Sequence, residues 1–223
     1  MKGFLADFHI HSTLSDGKLS IPELVDLYGK RGFGAIAITD HLCETKSVIG
    51  KAARILEKSL TPATFPIYQA ILRSEIERAW NDYQMVLIPG IEITKNSISE
   101  SRSAHVLSLG TRDFISADDP LETVLENIRN LNGVSVAAHP IGYELWSRRE
   151  EFKTTFDAWE VASGRLFQNE VFESSLPMLA TSDLHAPKQI CAWKTLFHCE
   201  RREDQILDAI RNQDLEFRFY DGA

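Results

Sequence analysis

Two histidines one residue apart, His9 and His11, are the first residues in this chain with the types and spacing for chemistry. Around them Leu5, Asp7, His9 and His11 alternate with Phe4, Phe8 and Ile10. Alternation of period two predicts a strand that turns both imidazoles to one face, with Asp7 behind them. Two imidazoles on one edge hold one metal ion once a carboxylate completes the set. Asp16 lies in the turn-rich run STLSDG, which can bend back to the same place. His-x-His alone also occurs on ordinary core strands, so the rest of the chain has to decide.

The elements that would carry these residues follow from pattern. Ser20-Ile21-Pro22-Glu23 reads as a capping box with proline in the first turn, opening a helix to about Lys30 that Gly32 and Gly34 end. AIAIT at 35–39 is a short buried strand, with Asp40-His41 at its C-terminal end. Residues 43–82 are too long for a simple connection; helices over 48–58 and 67–80 flank a loop with Pro62 and Pro66. The next strand, 84–94, is expected to break near Pro89-Gly90 and carries Glu92; 104–109 is another and carries His105 near its start. Between them KNSISESRS is polar and is read as mobile. A second capping box at Asp119-Pro120-Leu121-Glu122 should start a helix reaching Asn132, with Gly133 as its stop. Strands at 134–138, 155–161, 178–181 and 194–197, a helix over 204–212 and LEFRFY complete the pattern.

Strand and helix alternate, which argues for a parallel α/β architecture. The polar residues recur in one phase of it. His9 and His11, His41, Glu92, His139, and Asp183 with His185 all fall at the C-terminal ends of strands. In a parallel barrel those ends converge on one rim, where active sites are built. His105 is on a strand too, though nearer its start; with it six of the seven histidines belong to the set and His198 is the exception, whereas scattered surface histidines have no reason to keep that phase.

Composition narrows the classes. At 223 residues with 43% hydrophobic content the chain fits one domain with a sizeable core, residues 1–223, carrying a helical insertion at about 43–82. No apolar run approaches the roughly 20 residues that span a bilayer, and MKGFLADFH does not read as a secretory leader. A cytoplasmic protein with no membrane partner is the expectation. Cys43, Cys191 and Cys199 are odd in number and lack CxxC spacing, against a disulfide framework or a cysteine-rich zinc site. A net charge of −8 disfavours long nucleic acid as a partner, but not a small anion next to bound metal. Nothing here sets the oligomeric state.

The series His9-x-His11, Asp16, Thr39-Asp40-His41, Glu92, His105, His139-Pro140 and Ser182-Asp183-Leu184-His185 resembles the PHP (polymerase and histidinol phosphatase) superfamily, in order and nearly from end to end. The resemblance implies a distorted (β/α)7 TIM-like barrel with a trinuclear metal site at the C-terminal rim. It implies a first ion on His9, His11, Glu92 and Asp183. A second would share Glu92 and add His105 and His139, and a third would take Asp16, His41 and His185. Some relatives have histidine where Asp16 stands. An oxygen and nitrogen donor set without thiolate suits manganese, iron or zinc. Asp7 and Asp40 flank the ligands, either as acceptors that orient their imidazoles or as turn and capping groups.

Clustered divalent ions acidify a bridging water, bind phosphoryl oxygens and stabilise the leaving oxygen. No GxSxG or Walker-type loop offers a different route. The expectation is a phosphoesterase, most simply a monoesterase, acting on a small phosphorylated metabolite or nucleotide through a metal-bridging hydroxide. Asp183 and His185 would be ligands that also serve proton transfer. The alternatives are phosphodiester or exonuclease cleavage at nucleic-acid ends, and a metal-stabilised binding module without turnover. A phosphate also calls for a cationic clamp. Arg165, just past a strand end, is the leading candidate, ahead of Arg148, Arg149 and Lys188.

Overall fold

A computed structural model of the chain describes residues 3–56, 58–95 and 104–222. The polar run after Lys95 lies outside the described residues. The strands are β1 (Phe4–Asp7), β2 (Ala35–Ile38), β3 (His41–Cys43), β4 (Val86–Lys95), β5 (Ala104–Leu109), β6 (Val134–Ala137), β7 (Ala158–Ser163), β8 (Leu166–Phe167), β9 (Met178–Thr181), β10 (Trp193–Phe197) and β11 (Leu215–Phe219). The helices are α1 (Ile21–Gly29), α2 (Val48–Ile55), α3 (Phe65–Tyr83), α4 (Leu121–Asn130), α5 (Glu144–Ser147), α6 (Arg149–Phe152), α7 (Asn169–Phe172) and α8 (Glu203–Asn212).

The sheet runs β11-β10-β1-β2-β4-β5-β6-β7-β8, with β9 parallel to β7 and β3 parallel to β4. A parallel bridge between Ile10 and Leu184 ties the segment after β1 to the segment after β9, through His11 N–H to Leu184 O (2.9 Å) and Leu184 N–H to His9 O (3.0 Å). That link draws the two sides of the curl together into an α/β TIM-like barrel. The parallel order is broken at β5 and at β10, each antiparallel to both its neighbours.

Small and large apolar residues alternate to fill both faces. Ala35 and Ala37 join Ala6, Phe8, Leu107, Val136 and Phe197 in one core cluster that α8 closes with Ile206 and Ile210. Ile36 and Ile38 face the other way, to Leu24 and Tyr28 of α1 and Leu72 of α3. A strand buried on both faces loses its polar alternation, which is why AIAI reads as a continuous apolar run. Among the described residues no helix is long and apolar enough to cross a membrane.

The first capping box forms: Ser20 donates through its backbone N–H and its hydroxyl to Glu23 Oε2, at 2.8 and 2.7 Å. Four expectations need correction. The second capping box does not form; Pro120 is the N-cap of α4 and no side chain caps it, and the helix stops at Asn130. β4 runs unbroken through Pro89-Gly90, because pairing with β5 begins only at Gly90. The N–H that proline lacks is therefore not missed on that side. β7 lies at 158–163 rather than 155–161. β1 ends at Asp7, so His9 and His11 sit in the extended segment just beyond it.

A candidate metal centre at the strand ends

His9 and His11 follow β1, His41 opens β3, Glu92 lies on β4, His139 follows β6, and Asp183 and His185 follow β9. His105, near the start of β5, reaches the same rim because β5 runs antiparallel, pairing Thr94 with His105. Asp16 is brought in by the turn after His11. Asp40 fixes that turn by accepting from the N–H and hydroxyl of Ser12 and from the Ser15 hydroxyl. Gly17 closes it so tightly that a Cβ there would stand 2.0 Å from His11 O. All nine predicted ligands are thereby brought into one cluster.

Their spacing is informative. His9 Nε2 and His11 Nε2 both lie 3.3 Å from Asp183 Oδ1, and 3.3 and 3.4 Å from Glu92 Oε2. Those separations are long for hydrogen bonds. Two donors each about 2.1 Å from one ion at a tetrahedral angle stand about 3.4 Å apart. On its other oxygen Glu92 meets His105 Nδ1 at 2.7 Å and His139 Nε2 at 3.5 Å. Asp16 Oδ1 faces His185 Nε2 at 3.2 Å, His41 Nε2 at 3.7 Å and His11 Nδ1 at 3.8 Å. Three groups emerge with converging donor atoms: His9, His11 and Asp183; His9, Glu92 and His139; and His11, Asp16, His41 and His185. The third group gains His11 relative to the set implied by resemblance. His105 joins through its contact with Glu92.

The buried polar atoms test the fit. His9 Nε2, both ring nitrogens of His11 and Asp16 Oδ1 are buried and have no hydrogen-bond partner among the described residues, and Glu92 Oε2, also buried, meets only imidazole nitrogens, the nearest being His41 Nδ1 at 2.8 Å. Orphaned groups of this kind are rare and costly unless something else meets them. Four in one place, of nitrogen and carboxylate type, fit divalent cations.

The electrostatics agree. Burial disfavours charge on Glu92, but His41, His9 and His105 outweigh it and hold its pKa well below the ordinary range. Asp183 is likewise held low, against burial, by His9 and His11. Burial also opposes charge on His41, yet Glu92 and Asp16 raise it to about 9. His9 is raised against burial by Asp183, Glu160 and Glu92, His139 by Glu92 and Glu160, and His185 by Asp16 and Asp183. His11 is the contrary case, lowered by burial to about 4 and so a neutral donor. The cluster draws positive charge to itself.

Two expected positions are strained. Among the described residues five non-glycine residues have positive φ; Gln84, Asn132 and Gln213 do so at or just past helix ends, whereas His139 (φ 27°) and Asp183 (φ 50°) are candidate ligands. Left-handed backbone away from a helix end marks positions that the surroundings over-determine.

Sequence reasoning missed Glu160. Its Oε1 is 2.8 Å from His9 Nδ1 and accepts from the Thr181 hydroxyl, and its Oε2 accepts from His139 N–H. One carboxylate thus orients two candidate ligands, the part assigned to Asp7 and Asp40 as one of two readings. Neither of those touches an imidazole among the hydrogen bonds seen here. Asp7 instead accepts from Tyr28, Ser182 and Lys194. The one available signal for Glu160 was a charged residue inside the apolar run AWEVA.

The centre opens on a cavity of about 460 Å³ lined by His41, Glu92, His105, His139, Asp183 and His185, and on its remaining sides by Ile141, Tyr143, Ser163, Leu166 and Gln168. The four expected cations do not line it. Arg165 lies over the Phe219 ring (5.3 Å) and Arg149 over Trp146 (4.7 Å). Arg148 pairs with Glu122, Glu144 and Glu151, and Lys188 is exposed on the short 3-10 turn Pro187–Ile190.

The chain has relatives. DNA polymerase/3'-5' exonuclease PolX of Bacillus subtilis (strain 168) is 29% identical over 161 residues, 68% of this chain and 26% of that protein. Uncharacterized protein MJ1295 of Methanocaldococcus jannaschii is 26% identical over 200 residues, covering 82% of this chain and 83% of its own length. Among solved structures, a two-domain protein from Bacteroides vulgatus ATCC 8482, described as containing a predicted PHP-like metal-dependent phosphoesterase, superposes with a TM-score of 0.72 at 21% identity, over 98% of this chain and 65% of that one. The chain thus spans about a quarter of PolX and under two thirds of the Bacteroides protein. The PHP domain itself matches residues 7–156, which contain every candidate ligand up to His139, and with most of the chain inside that match the protein belongs to the PHP domain family.

Proposed function

We propose that the chain is a metal-dependent phosphoesterase that hydrolyses the phosphate monoester of a small metabolite or nucleotide. The observation that carries this reading is Glu92, fully buried, with one oxygen facing His9, His11 and His41 and the other facing His105 and His139. A carboxylate so placed would serve two cation positions. Divalent manganese, iron or zinc ions supply Lewis acidity there, lowering the pKa of water and neutralising phosphoryl charge.

The chain's own residues do the rest. His9, His11, Asp183 and Glu92 would hold a first ion, Glu92, His105 and His139 a second, and Asp16, His41 and His185, with His11 beside them, a third. Glu160 fixes the tautomer and direction of His9. Asp183 and His185, both lining the cavity, are ligands first and on this reading also serve proton transfer. Arg165 stays the leading phosphate clamp on this reading only by swinging from the Phe219 ring, since its turn joins Ser163 and Leu166 on the cavity wall but its guanidinium does not line it.

Phosphodiester cleavage at nucleic-acid ends is a second reading, favoured by the likeness to PolX. The net charge of −8 weighs against long polymers. The test is turnover of p-nitrophenyl phosphate against bis-p-nitrophenyl phosphate, with manganese, iron or zinc and after chelation. Metal-dependent turnover favouring the monoester is expected. Preference for the diester would shift the assignment to the second reading, and no turnover of either with any metal would leave a binding module.

A further inference from the structure

We propose that Ile141, Tyr143, Leu166 and Gln168 form a leaving-group subsite for an uncharged, part-apolar alcohol that carries a hydrogen-bond donor. The inference rests on the phosphoesterase reading and extends it from the phosphoryl group to the remainder of the substrate.

The subsite comes from two segments. One follows His139 and brings Ile141 and Tyr143. The Tyr143 ring lies 5.3 Å from His105 at an interplanar angle of 27° and 5.4 Å from His139, so its place is set by two candidate ligands. The other is the β7–β8 hairpin, in which Ser163 pairs with Leu166 and Ala162 with Phe167. Gly164 turns this hairpin at φ 63°. Its N–H donates to Thr181 O (3.1 Å) and its carbonyl accepts from Trp193 N–H (2.9 Å). The lip is therefore fastened to β9 and β10 before any substrate arrives, and a preformed wall selects by shape and polarity.

The chemistry of that wall is specific. Leu166 is 66% exposed, a large apolar side chain held at the edge of the cavity. Gln168 is only 7% exposed, lines the same cavity, and its Oε1 has no hydrogen-bond partner among the described residues. A buried amide oxygen without a donor gains most from a ligand hydroxyl or amino N–H. No lysine or arginine lines the cavity among the described residues. A second anionic group on the substrate would lie against Leu166 and Ile141 with no counter-charge, and desolvating it there is unfavourable.

The test uses non-hydrolysable phosphonates and the metal-loaded protein, by titration calorimetry, beside turnover of p-nitrophenyl phosphate. Phenylphosphonate should bind more tightly than the same ring bearing a 4-carboxylate. Leu166→Lys should shift that ratio toward the carboxylate by about fivefold, the scale of one exposed ion pair. Gln168→Leu should weaken 2-hydroxyethylphosphonate while sparing ethylphosphonate. Wild-type preference for the carboxylate, or ratios that neither variant changes, would overturn the subsite while turnover left the phosphoesterase reading standing. Loss of all phosphonate binding together with absence of turnover would overturn both.

Discussion

Asp7 and His9 stand two residues apart, are equally buried, and have opposite surroundings. Asp7 accepts from Lys194 Nζ (2.5 Å), the Tyr28 hydroxyl (2.6 Å), Ser182 N–H (3.0 Å) and the Ser182 hydroxyl. Lys194 is itself fully buried, and burial lowers its pKa although Asp7 works the other way. Every charge in this group has its partner inside the protein. At the rim, His9 Nε2, both nitrogens of His11 and Asp16 Oδ1 have no hydrogen-bond partner among the described residues, and face opposing donor atoms only at 3.2 to 3.8 Å. Burial of charge does not make a site. Buried polar atoms that converge and stay unsatisfied do, because the fold has set aside a place for the missing charge.

The contrast can be broken at four points, taken from the largest expected effect to the smallest. Lys194→Met leaves Asp7 as a buried unpaired carboxylate and should cost about 3–5 kcal/mol of stability. Chemical denaturation would read the loss, while metal bound per folded chain stays at the wild-type level. A variant that loses metal in proportion to stability would join the two regions into one.

Glu92→Gln acts on the other side. It should weaken metal binding by more than about 100-fold, beyond the range for a residue that only supports a ligand. Asp16→Asn should do less, since Asp16 is partly exposed and faces three histidines while Glu92 is fully buried and faces five. Competitive titration with a chromogenic chelator checks this, and equal, mild effects would count against the assignment. Glu160→Gln should cost about 10–100-fold in metal affinity through loss of the negative charge on His9 Nδ1. Its fold should survive, because glutamine still accepts His139 N–H.

The smallest effect lies far from both regions. Arg78, followed by Tyr83 and Lys30, holds Asp26 down to about 2. A depressed carboxylate contributes stability above its unfolded pKa of about 3.9 and loses it as pH falls through the folded value. Asp26→Asn should therefore flatten the stability profile between about pH 4 and pH 2. The pair is well exposed, so solvent screening keeps its contribution below about 1 kcal/mol. Urea midpoints across that window measure it.

How much of this was legible in sequence depends on the range of the interaction. β2, β5, β6 and β9 follow from local apolar runs, and the matched phase of the histidines points to one rim. His105 looked out of phase until β5 proved antiparallel, a property of pairing rather than of the residues at 104–109. Glu160 orients His9 across 151 positions, and Asp7 meets Lys194 across 187. No periodicity carries information over such distances. The Asp119 capping box failed for the reverse reason: the local pattern was present, but Pro120 took the cap position. Arg165 was placed by its distance from a strand end, whereas its direction is set by Phe219 on a strand that follows 50 residues later.

The most direct test of the central claim is the metal content of the purified chain. It would be equilibrated with manganese, iron or zinc, desalted, and measured by elemental analysis. The unsatisfied rim predicts one ion for each converging donor group, up to three per chain, and fewer in Glu92→Gln. A wild-type chain that retains no ion from any of the three metals would contradict the account.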